Sequence, residues 1–362
     1  MSKVTIKNCS FVLFKFPARM RYFRILIILS VTLPFTWSCK QKLDVNADWQ
    51  DITVVYGLLD QTDSIHYIKI TKAFLGEGDA MTFAKIADSS NYPDKLEVTV
   101  NEYYVNAAKD TVAARTFPCD TVIIHDKKAG DSVFYYPDQL MYCFVGNIEH
   151  AKDSGFFYKL NIRVKKTNKE IKSTAVMVDN KFSIEKPPDI PLFQVNFLPG
   201  VKTQLKWTSA KNGRRYQVVM RLTYLETSKA DPTDRDSTSI DWVIFSNRQT
   251  DDLKGGKPME EYFLNDGFYG MLHAKIPVDP SVTRTVRKIE YIFTVGSDDL
   301  NTYMEVTEPS NSIVQERPTF SNIVNGIGLF ASRTNRTVGP LRLGQETVTQ
   351  LQINPMTKDL GF

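Results

Sequence analysis

The chain has 362 residues, 42% hydrophobic and 12% aromatic, with 45 basic against 41 acidic side chains and a formal charge of +4. That apolar content excludes wholesale disorder. The charge excludes a nucleic-acid binder, because the basic excess is confined to Lys3, Lys7, Lys15, Arg19, Arg21 and Arg24, leaving 39 basic against 41 acidic side chains after residue 38; nucleic-acid affinity rests on neutralising many phosphates.

The first readable stretch is Met20-Arg21-Tyr22-Phe23-Arg24, an apolar run from Ile25 to Trp37, then Ser38-Cys39-Lys40. A membrane-spanning helix takes about 20 apolar residues. The run is shorter, and Ser30, Thr32 and Pro34 interrupt it. Basic residues, a short apolar core and a small residue before the cut are the order of a secretory signal. Residues 1–38 are therefore expected to be a signal peptide, with translation starting at Met20, and Cys39 the lipidated residue of the mature protein. An ordinary signal peptide, or an uncleaved anchor, is the alternative. Residues 39–50 read as a lipidated polar tether.

Four cysteines are present. With Cys9 upstream of the expected start and Cys39 carrying lipid, Cys119 and Cys143 are left as candidates for a disulfide in an oxidising compartment. Two free buried thiols are the alternative, since no spacing rule proves a bond.

From Ile52 the apolar period is two. Ile52, Val54, Tyr56 and Leu58 share one face while Val55 and Leu59 hold the other, so this strand is expected to be covered on both sides. A polar turn, Asp60 to Ser64, leads to a second β-rich run, Ile65 to Phe74, suggesting a hairpin. Ala80 to Ala87 reads as a short helix. Further strands are expected at Leu96 to Tyr104, Thr121 to Ile124, Val133 to Tyr136, Met141 to Val145, Tyr158 to Val164 and Ser173 to Val178.

Glu185-Lys186-Pro187-Pro188-Asp189-Ile190-Pro191 marks a boundary, because three prolines in five residues cannot join a sheet interior. Beyond it, alternation resumes over Val201 to Trp207 and Tyr216 to Tyr224, followed by strands at Asp241 to Ser246 and Lys288 to Val295 and a helix near Glu260 to Leu264. A Trp on one strand followed by a long Tyr-rich strand resembles the opening of a fibronectin type III or immunoglobulin-like sandwich. The expected fold is mainly β: two antiparallel β-sandwich units over 51–186 and 187–310, then a loop-rich segment over 311–362.

Thr36-Trp37-Ser38-Cys39 resembles a relaxed lipobox of the Bacteroidetes kind. Together with Val54-Val55-Tyr56-Gly57-Leu58-Leu59-Asp60, Tyr158-Lys159-Leu160-Asn161-Ile162 and Ser321-Asn322-Ile323-Val324-Asn325-Gly326-Ile327-Gly328-Leu329-Phe330, it makes the chain similar to a group of Bacteroidetes cell-envelope lipoproteins classed as domains of unknown function. That resemblance implies an immunoglobulin-like β-protein at the cell envelope, in genomes where such lipoproteins accompany outer-membrane receptors. It carries over no site residue.

Catalytic signatures are sparse. His66, His125, His150 and His273 are far apart and lack a second ligand at metal spacing. No Gly-x-Ser-x-Gly occurs. Asp231, Asp234, Asp236 and Asp241 cluster in a polar loop, but calcium loops need a sharp-turning glycine that is missing here. Gly326-Ile327-Gly328 reads as a bulge or tight strand crossing. Tyr262, Phe263, Phe268 and Tyr269 form an aromatic-dense segment that is either core or a binding surface. The expectation is a non-enzymatic outer-membrane lipoprotein without cofactor or metal, a binding or assembly module for a membrane-protein partner such as a nutrient receptor. Direct capture of a glycan or peptide is the alternative, with an envelope hydrolase the third reading.

Overall fold

The computed structural model describes residues 52–73, 90–125, 138–148, 156–308 and 319–362. The signal peptide, Met20, Cys39, the tether, the Ala80 to Ala87 helix, the Val133 to Tyr136 strand and His150 lie outside the described residues. No helix among those described is long and apolar enough to cross a membrane.

The first half contributes strands β1 (Ile52–Asp60), β2 (Ile65–Ala73), β3 (Glu97–Val105), β4 (Thr111–Pro118), β5 (Asp120–Ile124), β6 (Gln139–Val145), β7 (Phe156–Val164) and β8 (Lys169–Val176). After the short β9 (Ile184–Lys186) and β10 (Gln194–Val195) come β11 (Lys202–Thr208), β12 (Gly213–Ser228), β13 (Arg235–Gln249) and β14 (Pro258–Leu264). Helix α1 (Asp266–Lys275), β15 (Val282–Ser297), helix α2 (Asp298–Thr307), β16 (Gly326–Leu343) and helix α3 (Gln345–Ile353) complete the described elements.

The protein is mainly β, in several largely antiparallel sheets. The main sheet runs β13-β12-β15-β16-β1-β2-β6-β5, with β10 added beside β16; a second is β4-β3-β7-β8 and a third β14-β11-β9. Two pairings are parallel, β1 with β16 and β10 with β16. One core fills the space between the first half of the main sheet and the second sheet, with Val55, Ile68 and Phe144 meeting Val100, Tyr158 and Leu160. The other gathers Trp207, Tyr216, Phe268, Tyr291 and Phe293. Trp207 is fully buried, its ring 5.7 Å from those of Phe245 and Phe293.

Three expectations need correcting. The two cores divide between Met177 and Val178, upstream of the proline-rich stretch, and Ile323 and Phe330 return to the first; nor does the stretch separate two sheets, because the main sheet draws strands from both sides. The segment from 311 is not loop-rich: it holds β16, a central strand 18 residues long, and α3. Glu260 to Leu264 is strand β14 paired along β11, and the helix follows it. Gly326-Ile327-Gly328 is neither a bulge nor a crossing but the closely packed start of β16, in unbroken parallel register with β1. Gly328 has φ +118, and a Cβ there would overlap the carbonyl oxygen of Val55.

Cys119 and Cys143 are free thiols. The register pairs Cys143 with Asp120 and Tyr67 on the outward face, whereas Cys119 joins the core with Phe144. Side chains on opposite faces of a sheet do not meet. Burial, then the neighbouring Cys143, pushes the Cys119 thiol up to about 12.

His66 lies in the first core, stacked on Phe144 at 4.7 Å, with Nε2 facing the Gly146 carbonyl at 3.0 Å and Nδ1 without a partner. Burial is the largest cause holding its pKa below the ordinary 6.5. A His whose folded pKa is depressed contributes stability fully above the unfolded value, and that stability is lost as pH falls. Melting temperature should therefore fall on going from pH 7.5 to 5.5, and His66→Phe should shrink that drop; an equal drop in both proteins would remove His66 as a source.

Candidate functional site

Strand β1 is apolar on both faces. Its inward residues Val55 and Leu59 are buried to within 1%. Its outward residues Val54, Tyr56 and Leu58 are not. The register extends this outward face sideways: Val54 pairs Ile327 and Tyr56 pairs Leu329 on β16, while Ile65 pairs Val145 and Tyr67 pairs Cys143 across β2 and β6. Helix α2 packs mainly over β16, β12 and β15, where Leu329 and Ala331 are buried, and reaches β1 only at its edge. Beyond it Tyr56, Ile65, Tyr67 and Ile327 are 41–46% exposed and Val145 is 73% exposed.

Tyr303 of α2 defines the edge of this surface. Its ring meets Tyr56 edge-on at 6.1 Å, and its hydroxyl donates to that of Tyr56 at 3.4 Å. That hydrogen bond, with burial second, pushes the Tyr56 phenol up to about 12. The Tyr56 phenol therefore stays neutral at physiological pH. A contiguous apolar surface rimmed by tyrosine hydroxyls is the composition of a protein contact.

The outward face of the second sheet is chemically different. Tyr103 and Phe157 stack at 5.4 Å, but the Lys159 ammonium caps both rings at 4.8 and 5.6 Å. Glu97 beside them pairs Lys165 at 3.3 Å. This is a solvated charged face.

No group of three or more His, Cys, Asp or Glu side chains is placed to hold a metal ion among the described residues. His125 pairs Asp138 at 2.7 Å with both exposed, and the Nδ1 of His273 faces the Met356 carbonyl at 3.0 Å. Asp231, Asp234, Asp236 and Asp241 do not converge. Asp231 accepts from the Thr233 amide and hydroxyl, Asp236 from the Ser237 amide, and Asp241 holds Arg221 through two bonds of 2.7 and 2.8 Å.

The structure splits the expected aromatic segment. Phe263 on β14 and Phe268 and Tyr269 on α1 are core residues, Tyr269 donating to the Phe197 carbonyl. Tyr262 alone faces outward, bonded to Gln204 at 2.7 Å. Of the two readings the sequence left open for this segment, core holds for Phe263, Phe268 and Tyr269; the open apolar face lies instead on β1, whose two-sided apolar pattern was its signal.

No family model matches the chain, and no curated protein matches it either.

Proposed function

We propose that the protein is a non-catalytic binding and assembly module, tethered through lipid on Cys39 to the outer membrane of a Bacteroidetes-type envelope, that docks a membrane-protein partner against the outward face of β1, β2 and β6. We also assign its two cores to immunoglobulin or fibronectin type III-like units. The open apolar face carries this reading. Among the described residues, a strand patterned for cover on both sides is covered fully on one, and leaving such a surface in water is unfavourable by roughly 25 cal/mol per Å². A tether of about ten residues spans at most roughly 35 Å, so β1 stays within reach of proteins in the same membrane and binds at raised effective concentration. Composition supports a protein partner over a polar glycan, since the outward positions from Val54 to Leu58 on β1 and at Ile65 and Tyr67 on β2 carry no charge.

The test is site-specific photocrosslinking in cells. A crosslinker at Val145 should trap one membrane protein, and Tyr67→Asp should abolish that adduct without lowering the melting temperature. The same crosslinker at Lys159 should trap nothing. An adduct that survives Tyr67→Asp refutes the face. Loss of lipid labelling on Cys39→Ala tests the anchor separately.

A further inference from the structure

We propose that a groove between β15, β16 and α3 is a binding site for an apolar carboxylate, gripped by Arg287 and Arg342. The site lies in the second core's surface and involves none of the residues of the β1 face, so it goes beyond the assembly role.

Two irregularities build it. Thr223 of β12 pairs Lys288, but the next residue, Tyr224, pairs Val286, so Arg287 is the extra residue of a bulge in β15. Between β15 and β16 the register shifts again, Ile289 pairing Leu341 and Tyr291 pairing Val338, just before Arg342. Bulges re-aim side chains and recur beside functional sites. Here they bring Arg287 and Arg342 to the same groove of about 440 Å³, within the range of ligand sites.

The charges in the groove are not balanced. A third arginine, Arg284, is buried and already used: its Nε donates to Glu226 at 2.7 Å and its Nη1 to the Leu360 carbonyl at 2.5 Å. Arg287 and Arg342 are exposed, and neither guanidinium has a carboxylate within ion-pair distance among the described residues. Two such forks present the paired donors that suit a carboxylate. Beside them Val286, Leu343, Val348, Leu351 and the Phe362 ring supply apolar lining, the ring packing edge-on against Tyr224 at 5.9 Å. Gln352 adds a neutral polar group at the rim. A bare inorganic anion would leave this apolar lining unused, and a neutral apolar molecule would leave the arginines unpaired. The ligand that uses both is an anionic head on an apolar body, such as a peptide C-terminus with large aliphatic or aromatic residues, or a fatty carboxylate.

The test uses the full chain in nanodiscs of neutral lipid and calorimetric titration. Acetyl-Leu-Phe with a free carboxylate should bind at least tenfold more tightly than its carboxamide twin. Octanoate run in parallel separates the two sources, and binding of either acid supports the site. Arg287→Gln and Arg342→Gln should each weaken acid binding about tenfold with an unchanged melting temperature, and because both side chains are exposed one variant suffices if the other folds poorly. Equal binding of acid and carboxamide, unchanged binding in both variants, or equal binding of inorganic phosphate overturns the proposal.

Discussion

Gly328→Ala should cost about 4 kcal/mol or more, backbone strain and overpacking acting together. Gly328 sits in β16 at φ +118, a backbone conformation rarely adopted by residues with a Cβ. The added Cβ also meets backbone, not a flexible side chain: it falls on the Val55 carbonyl in the parallel neighbour β1, whose own side chain is fully buried. Relief would require the two central strands to separate, and their ladder runs from Thr53 opposite Gly326 to Asp60 opposite Arg333. Gly256 is the control. It also has positive φ, +79, but open space around it, so Gly256→Ala should cost only the backbone term, about 1 kcal/mol. Urea unfolding of both variants measures the difference, and equal costs would mean the contact has slack. Against a typical stability of 5–15 kcal/mol, a loss of this size also removes much of the folded population on warming.

The strands with one clean face were legible in sequence. Tyr158, Leu160, Ile162 and Val164 alternate with Lys159, Asn161 and Arg163, and β7 follows that pattern residue by residue. What failed has particular causes. In β14, Met259 and Phe263 are buried four residues apart, a spacing that suits both a strand and a helix, so periodicity could not choose. Strand β4 is an edge, mostly exposed, and carries no alternation to read. Strand β16 reads in sequence only as one apolar strand in a loop-rich ending, because it starts at Gly326 and its interior holds Gly328, Gly339, Pro340 and the buried polar residues Ser332 and Thr334. Such a sequence is a strand only because distant partners satisfy it: β1 on one side, β15 on the other, and side chains including Asp60. The candidate site failed for a related reason. The apolar outer stripe of β1 was visible, but a sequence shows which residues need cover, not which receive it. For Phe268 and Tyr269, where the sequence left core or contact surface open, α1 supplies burial.

The second large effect is at the polar clamp that holds β1 to β16. Asp60 is 1% exposed and its two carboxylate oxygens are fully engaged. Oδ2 accepts from Arg333 Nε at 2.9 Å and Asn335 Nδ2 at 2.6 Å, while Oδ1 accepts from the Thr62 amide at 3.0 Å and its hydroxyl at 2.7 Å. Asn335 in turn accepts from Thr294 of β15 at 2.7 Å, so one carboxylate fixes three neighbouring strands. Removing it with Asp60→Ala should cost about 3 kcal/mol, from lost charge-assisted bonds and the donors left behind. Arg333→Ala acts differently. It leaves a buried carboxylate with only neutral donors, and stripping one partner from a buried ion is costly, roughly 3 kcal/mol or more in fully buried pairs. Since the Arg333 side chain is 41% exposed, solvent already shares its charge, and its loss should cost about 2 kcal/mol. Once Asp60 is gone, Arg333 has little left to hold. The double variant should therefore be no less stable than Asp60→Ala by more than about 0.5 kcal/mol, giving a coupling energy above 1 kcal/mol in a double-mutant cycle. Strictly additive costs in guanidinium unfolding would show that Arg333 acts elsewhere and that the clamp rests on Asn335 and Thr62. The same cycle bears on function, because Leu58 and Tyr56 of the open face share β1 with Asp60. If the clamp holds that strand in register, Asp60→Ala should weaken the Val145 crosslink at temperatures where the protein remains folded.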